Sequence, residues 1–217
     1  MGTLQPGQSG QVNGKVGEMV VSKWKKKIVS RAAPGKAKKK GSTLQLAQRQ
    51  RLSLVSSFLA KIAAAINIGF QSCNRKMTPV NEATRFHLNK IILGSYPDYS
   101  LDFTKVKLTL PYSVDRIADG LKVAIAIEDS HVLVINWIKS DFPNRLTKLA
   151  DQAYVLCYDA DSERAYFFKQ IASRADVTAR LVMPESFKNK QVHGYLFFVS
   201  DNGKLVSDTH YLGLIEI

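Results

Sequence analysis

Acidic residues are almost missing from the first 80 positions, where Glu18 stands alone among 15 lysines and arginines. Residues 81–217 carry 16 basic against 17 acidic residues, so the net charge of +13 belongs wholly to the N-terminal part. Charge this one-sided suits a polyanion such as nucleic acid or anionic lipid, or an acidic protein surface. Cysteine is scarce as well. Cys73 and Cys157 lie far apart among apolar neighbours, which predicts two free, buried thiols rather than a disulfide, and a reducing compartment. No stretch approaches the roughly 20 apolar residues of a membrane-spanning helix. Met1 to Gly17, rich in glycine and glutamine, lacks the apolar core of a signal peptide. The expected location is the cytoplasm, or a virion-like particle assembled there.

Signatures of catalysis and metal binding are absent too. His87, His131, His193 and His210 stand singly, with no serine or cysteine signature beside them, and Cys and His do not cluster at metal-ligand spacing. Gly10, Gly14 and Gly17 precede a strand pattern rather than a helix, so they form no phosphate cradle. Asp159-Ala160-Asp161-Ser162-Glu163 resembles the opening of a calcium loop but lacks its glycine and distal glutamate, and reads more simply as an acidic hairpin loop. The expectation is a chain with no catalytic residues, cofactor, metal or small-molecule substrate.

What is present falls into three stretches. Residues 1–42 form a basic arm. Met1 to Gly14 offers little to bury and would be disordered on its own. Lys15–Trp24 and Lys27–Arg31 are β-branched segments that predict a small hairpin, marginal by itself in water. Ala32 to Ser42, with Pro34, Gly35, Gly41 and four lysines, reads as an extended linker. In residues 43–94 the period becomes 3.6: Thr43 suits an N-cap, and Leu44, Ala47, Leu52, Val55, Leu59, Ile62 and Ile66 predict one helix over about 44–67. That helix either docks on a core or packs against copies of itself. Thr78-Pro79 begins a second helix, with Val80, Ala83, His87 and Ile91 on one face. In residues 95–217, Phe103–Leu110, Lys122–Ile127, His131–Trp137, Ala153–Tyr158, Ala165–Ile171, Val177–Met183, Val192–Val199 and Tyr211–Ile217 read as short strands between turn formers. The fold class is then mainly β with α, built on an antiparallel immunoglobulin-like β-sandwich.

The candidate contact residues are Lys23, Trp24, Lys25, Lys26, Lys27, Arg31, Lys36, Lys38, Lys39 and Lys40 in the arm, with Arg49 and Arg51 at the helix start. They suit phosphate neutralisation through counterion release, with Trp24 as one stacking face, or equally the lining of an interface between subunits. Tyr96, Tyr99 and Tyr112 offer a weaker third reading as a sugar platform.

Gly14-Lys15-Val16-Gly17, Val20-Val21, Trp24-Lys25, Gln48-Arg49-Gln50-Arg51, Phe58-Leu59, Ile68-Gly69-Phe70, Met77 to Asn81, Gly94 to Asp98 and Phe198 to Gly203 together resemble an uncharacterised domain-of-unknown-function family of Bacteroidota. The resemblance spans nearly the whole chain and brings no catalytic residues. The segment Gln45 to Phe58 is similar to the basic, glutamine-rich helix start of many phage virion proteins. The leading expectation is a structural protein that self-assembles, or joins a virion-like or filament-like particle, through its arm, with homo-oligomer or particle subunits as partners. The alternative is a nucleic-acid-associated protein using the arm as a sequence-independent electrostatic tether.

Overall fold

Strand pairing begins at the N-terminus in the computed structural model, which describes residues 2–4, 14–25, 27–35, 41–73, 76–111, 113, 116–118, 121–129, 131–138 and 144–217. The chain divides between Ser42 and Thr43 into two compact units. The first holds strands β1 (Gly2–Leu4), β2 (Gly14–Val16), β3 (Met19–Trp24) and β4 (Lys27–Ala32) in one antiparallel sheet of order β1-β4-β3-β2. Gly17, at φ +57°, makes the β2–β3 turn without a Cβ clash. Two differences from the sequence expectation stand out. The segment Lys15–Trp24 is two strands, not one, and Gly2–Leu4 is ordered as a third partner, with Thr3 opposite Val29. An edge strand such as β4 exposes a row of unmet N–H and C=O groups, and three residues of any extended sequence satisfy them.

The second unit opens with helices α1 (Thr43–Lys61), α2 (Ala63–Gly69) and α3 (Pro79–Lys90). The single helix expected over 44–67 is broken at Ile62, where the axis turns by 86°. No proline or glycine causes the break. The apolar half of the segment covers more than one helical face, and a bend lets Val55, Phe58, Leu59, Ile62, Ala65 and Ile66 all reach the same core. At the far end Gly69 touches the chain at Leu108 so closely that a Cβ would lie 1.8 Å from the Leu108 carbonyl oxygen. Thr78 caps α3 as its sequence implies, its hydroxyl accepting from Asn81 N at 3.2 Å. A hairpin that the sequence reading missed, β5 (Ile92–Ser95) and β6 (Asp98–Leu101), turns through a cis Tyr96-Pro97 bond.

Phe103–Leu110 is not a strand. Its backbone groups are met elsewhere: Lys107 N donates to His87 Nε2, Leu108 N and Thr109 N donate to Thr209 Oγ1, and Leu110 N donates to Gly69 O. The seven strands that follow sit close to their expected positions: β7 (Leu121–Asp129), β8 (Val132–Ile138), β9 (Gln152–Asp159), β10 (Arg164–Phe168), β11 (Thr178–Val182), β12 (Gln191–Val199) and β13 (His210–Glu216). They form a four-stranded sheet, β10-β9-β12-β13, and a three-stranded sheet, β11-β8-β7, with every pairing antiparallel. The chain crosses between the sheets after β8, β10 and β11, which makes an immunoglobulin-like sandwich.

The central strands β9 and β12 are buried on both faces. Ala153, Val155, Cys157, Leu196 and Phe198 face the three-stranded sheet, where they meet Leu133, Ile135, Trp137, Ala179 and Leu181. Tyr154, Leu156, Tyr158, Tyr195 and Phe197 face the helices, meeting Phe58, Leu59 and Ile66. Burial on both sides explains why these strands read as unbroken apolar runs rather than alternating ones. The unit is thus three layers, with a sheet between helices and a second sheet. One ion pair is enclosed. The Arg174 guanidinium lies 4.0 Å from the Phe198 ring centre, 3.5 Å from Asp151 Oδ2, and donates to Ala118 O. Both side chains are shielded from water.

Candidate functional site

The register of the N-terminal sheet sorts its side chains into two unlike faces. Partners directly opposite point the same way, and neighbours along a strand point opposite ways. Val20 pairs with Lys15 and Arg31, Ser22 with Val29, and Trp24 with Lys27. One face therefore carries Lys15, Lys27, Arg31 and Trp24 around Val20, Ser22 and Val29. The other face carries Val16, Met19, Val21, Ile28, Ser30 and Ala32, with Lys23 at its end. Trp24 is 52% exposed on the cationic face, and Lys15, Lys27 and Arg31 are exposed beside it. On the apolar face Val21 is buried, whereas Val16 and Met19 are half-exposed. Among the described residues of this unit there is no helix or second sheet to form another layer.

The twelve candidate contact residues separate accordingly. Trp24, Lys27 and Arg31 share a face with Lys15, which sequence reasoning missed. Lys23 points to the other side, and Lys25 occupies the β3–β4 turn at φ +43° with its ammonium 5.9 Å from the Trp24 ring centre. Lys26, Lys36, Lys38, Lys39 and Lys40 lie outside the described residues. Arg49 and Arg51 belong to α1 in the second unit. Arg49 is exposed, but Arg51 donates through Nη2 to Leu88 O at 3.0 Å and ties α1 to α3. Lys15 was legible in principle: alternation counted back across the Gly17-Glu18 turn places it level with Val20.

In the second unit several titratable groups are tied into the core. His87 is buried, with Nδ1–H donating to Ala83 O at 2.7 Å and Nε2 accepting from Lys107 N at 3.2 Å. Burial holds its pKa down to about 4 despite those two hydrogen bonds. His193 stacks on Phe103 at 4.4 Å and meets the Tyr211 hydroxyl at 2.8 Å. Burial pushes the Cys157 thiol up to about 12, so it is no nucleophile at neutral pH. Cys73 also forms no disulfide; it is half-buried rather than buried, and its Sγ donates to Met77 O at 3.6 Å.

The Asp159–Glu163 loop is a hairpin loop held by its own carboxylate. Asp159 Oδ1 accepts from Asp161 N and Ser162 N, and Oδ2 accepts from Lys190 Nζ at 2.7 Å and from the Ser162 hydroxyl. Burial raises this carboxyl, but Lys190 and Ser162 outweigh it and bring it down to about 2. The Lys190 ammonium is thus the charge paired with this carboxylate. No group of three or more His, Cys, Asp or Glu side chains comes together among the described residues. A cavity of about 170 Å³ lies between α1, β6 and the β9–β10 turn, walled by Leu54, Phe58, Leu101, Phe103 and Tyr158, with Lys61 and Glu163 paired at 3.4 Å beside it. That is smaller than the roughly 300 Å³ at which small-molecule pockets begin. Tyr96 and Tyr99 lie on the β5–β6 hairpin, and Tyr112 is outside the described residues.

Residues 10–213 match a family described as a family of unknown function, DUF6266. No curated protein matches the chain. Among solved structures, the fn3 domain of human collagen alpha-1(XX) chain is similar at 10% identity and TM-score 0.36, covering 49% of this chain and 90% of that domain. The fn3 domain of human contactin 1 is similar at 12% identity and TM-score 0.33, covering 50% and 84%. The sandwich assignment rests on strand order and not on these distant likenesses.

Proposed function

The chain belongs to the DUF6266 family of unknown function, and from that premise we propose that it is a non-enzymatic structural protein whose N-terminal sheet joins it to other subunits of a virion-like or filament-like particle. The observation that carries this reading is the apolar face of that sheet. Val16, Met19, Val21, Ile28 and Ala32 line one side of a single layer among the described residues. A sheet with an apolar face is stable only when another layer covers it. A unit of this length, Met1–Ser42, sits near the roughly 40 residues below which a chain seldom builds a sufficient core alone. Burying Val16 and Met19 against a neighbour would recover on the order of 1 kcal/mol each.

The test compares the full chain with a chain lacking residues 1–42 by light scattering and negative-stain microscopy. The full chain forms oligomers or particles, and the truncated one is monomeric. An oligomer unchanged by the truncation, or a full chain that stays monomeric at every concentration, removes the proposal. The double substitution Val16→Asp and Met19→Asp should mimic the truncation if the apolar face makes the contact.

A further inference from the structure

We infer that the opposite face of the same sheet is a binding site for single-stranded nucleic acid, with Trp24 as its stacking platform and Lys15, Lys27 and Arg31 as its phosphate contacts. The inference concerns the face that the assembly reading leaves unused, and it stands whether or not the chain assembles. Its basis is juxtaposition. Trp24 and Lys27 are direct cross-strand partners, which places their Cβ atoms about 5 Å apart. Lys27 and Arg31 follow at alternate positions of one strand, about 13 Å from end to end. Lys15 stands two strands from Arg31, about 10 Å away. The exposed indole and Lys27 thus stand at one end of the face, and Arg31 and Lys15 follow about 13 Å further along it, level with Val20. Glu18, the only acid in the first 80 residues, occupies the β2–β3 turn and not this face.

The geometry selects among polyanions. An exposed aromatic on a flat sheet accepts the face of an unpaired base, and every base has such a face, so binding is indifferent to sequence. A duplex hides those faces and is read by an element that enters a groove. An anionic membrane would favour cations and large apolar side chains on one side, whereas here Val16 and Met19 point away from Lys15, Lys27 and Arg31. The alternation of side chains that defines the face also supplies a control, because Lys23 has the same charge on the same sheet but points the other way.

The experiment titrates the full chain against fluorescein-labelled oligothymidylate and oligouridylate by anisotropy across a salt series. Duplex DNA and phosphatidylserine vesicles serve as competitors. Trp24→Ala should weaken oligonucleotide binding roughly tenfold, while Trp24→Phe, which keeps a ring, restores most of it. Lys15→Glu, Lys27→Glu and Arg31→Glu should each lower the log–log salt slope by about 0.7 per lost phosphate contact, and Lys23→Glu should leave it unchanged. Trp137 is buried, so quenching of the intrinsic fluorescence reports on Trp24 and should vanish in Trp24→Phe. Oligothymidylate and oligouridylate binding equally means that the sugar is not read. Far-ultraviolet circular dichroism confirms that each variant keeps its fold. Three results would overturn the inference: no oligonucleotide binding, equal losses from Lys23→Glu and Lys27→Glu, or tighter binding to duplex or vesicles than to single strands.

Discussion

His87 shows how a single side chain joins elements that are remote in sequence. Its two ring nitrogens bridge the Ala83 carbonyl of α3 and the Lys107 amide, and burial, together with the Nε2 atom that accepts from Lys107, holds the ring neutral. The folded pKa of about 4 lies below the ordinary value of 6.5, so between those values the unfolded chain binds the extra proton. Stability is therefore complete above pH 6.5 and is lost as pH falls through that window. The loss should reach about 2 kcal/mol at pH 5 relative to pH 7.5, measured by urea unfolding. His87→Gln should remove most of that pH dependence. A second side-chain prediction concerns Asp151, whose partner Arg174 lies beneath Phe198 with no access to water. Asp151→Ala strands a buried guanidinium and should cost about 3–5 kcal/mol in urea or thermal unfolding. The sequence shows His87 as a lone histidine, and nothing local in it pointed to Lys107 as its partner.

At the scale of elements, the bend at Ile62 and the contact at Gly69 belong together. The bend turns α2 towards the sheet, and the absence of a Cβ at Gly69 lets its backbone meet Leu108 and accept the Leu110 amide. Gly69→Ala should destabilise the fold by about 1–3 kcal/mol in thermal unfolding, because the added methyl meets backbone and not a movable side chain. The Thr78 cap makes a milder prediction. Thr78→Ala should cost about 1 kcal/mol in the same assay, through the unmet N–H of Asn81. The cap was legible as Thr78-Pro79 because capping is local chemistry. The bend was not, because 3.6-residue periodicity continues across it. Phe103–Leu110 failed for the converse reason: its residues alternate like a strand, but the backbone bonds go to His87, Thr209 and Gly69, none of which is near in sequence.

At the scale of the molecule, both apolar cores draw only on residues after Ser42. Deleting residues 1–42 should therefore leave a cooperatively folding domain whose near-ultraviolet dichroism, dominated by Trp137 packed on Phe198, matches that of the full chain. A molten or non-cooperative product would show that the cores depend on the arm. Residues 1–42 carry 10 of the 31 basic residues and one of the 18 acidic ones, so the same truncation lowers the net charge from +13 to +4 and should lower the isoelectric point from about 9.7 while leaving the domain basic.

Local physical chemistry in the sequence was enough to determine the segregation of charge, the cap of α3 and the approximate positions of β7 to β13. Each of these depends on neighbours within a few residues, through alternation, turn formers or capping side chains. The tertiary structure alone decided the break at Ile62, the recruitment of Gly2–Leu4 to β4, and the occupation of the Asp159 loop by Lys190. It also decided which cations stand together. Lys15 joins Trp24, Lys27 and Arg31 while Lys23 turns away, because a sheet face is set by cross-strand register, and register is a relation between segments that no single segment carries.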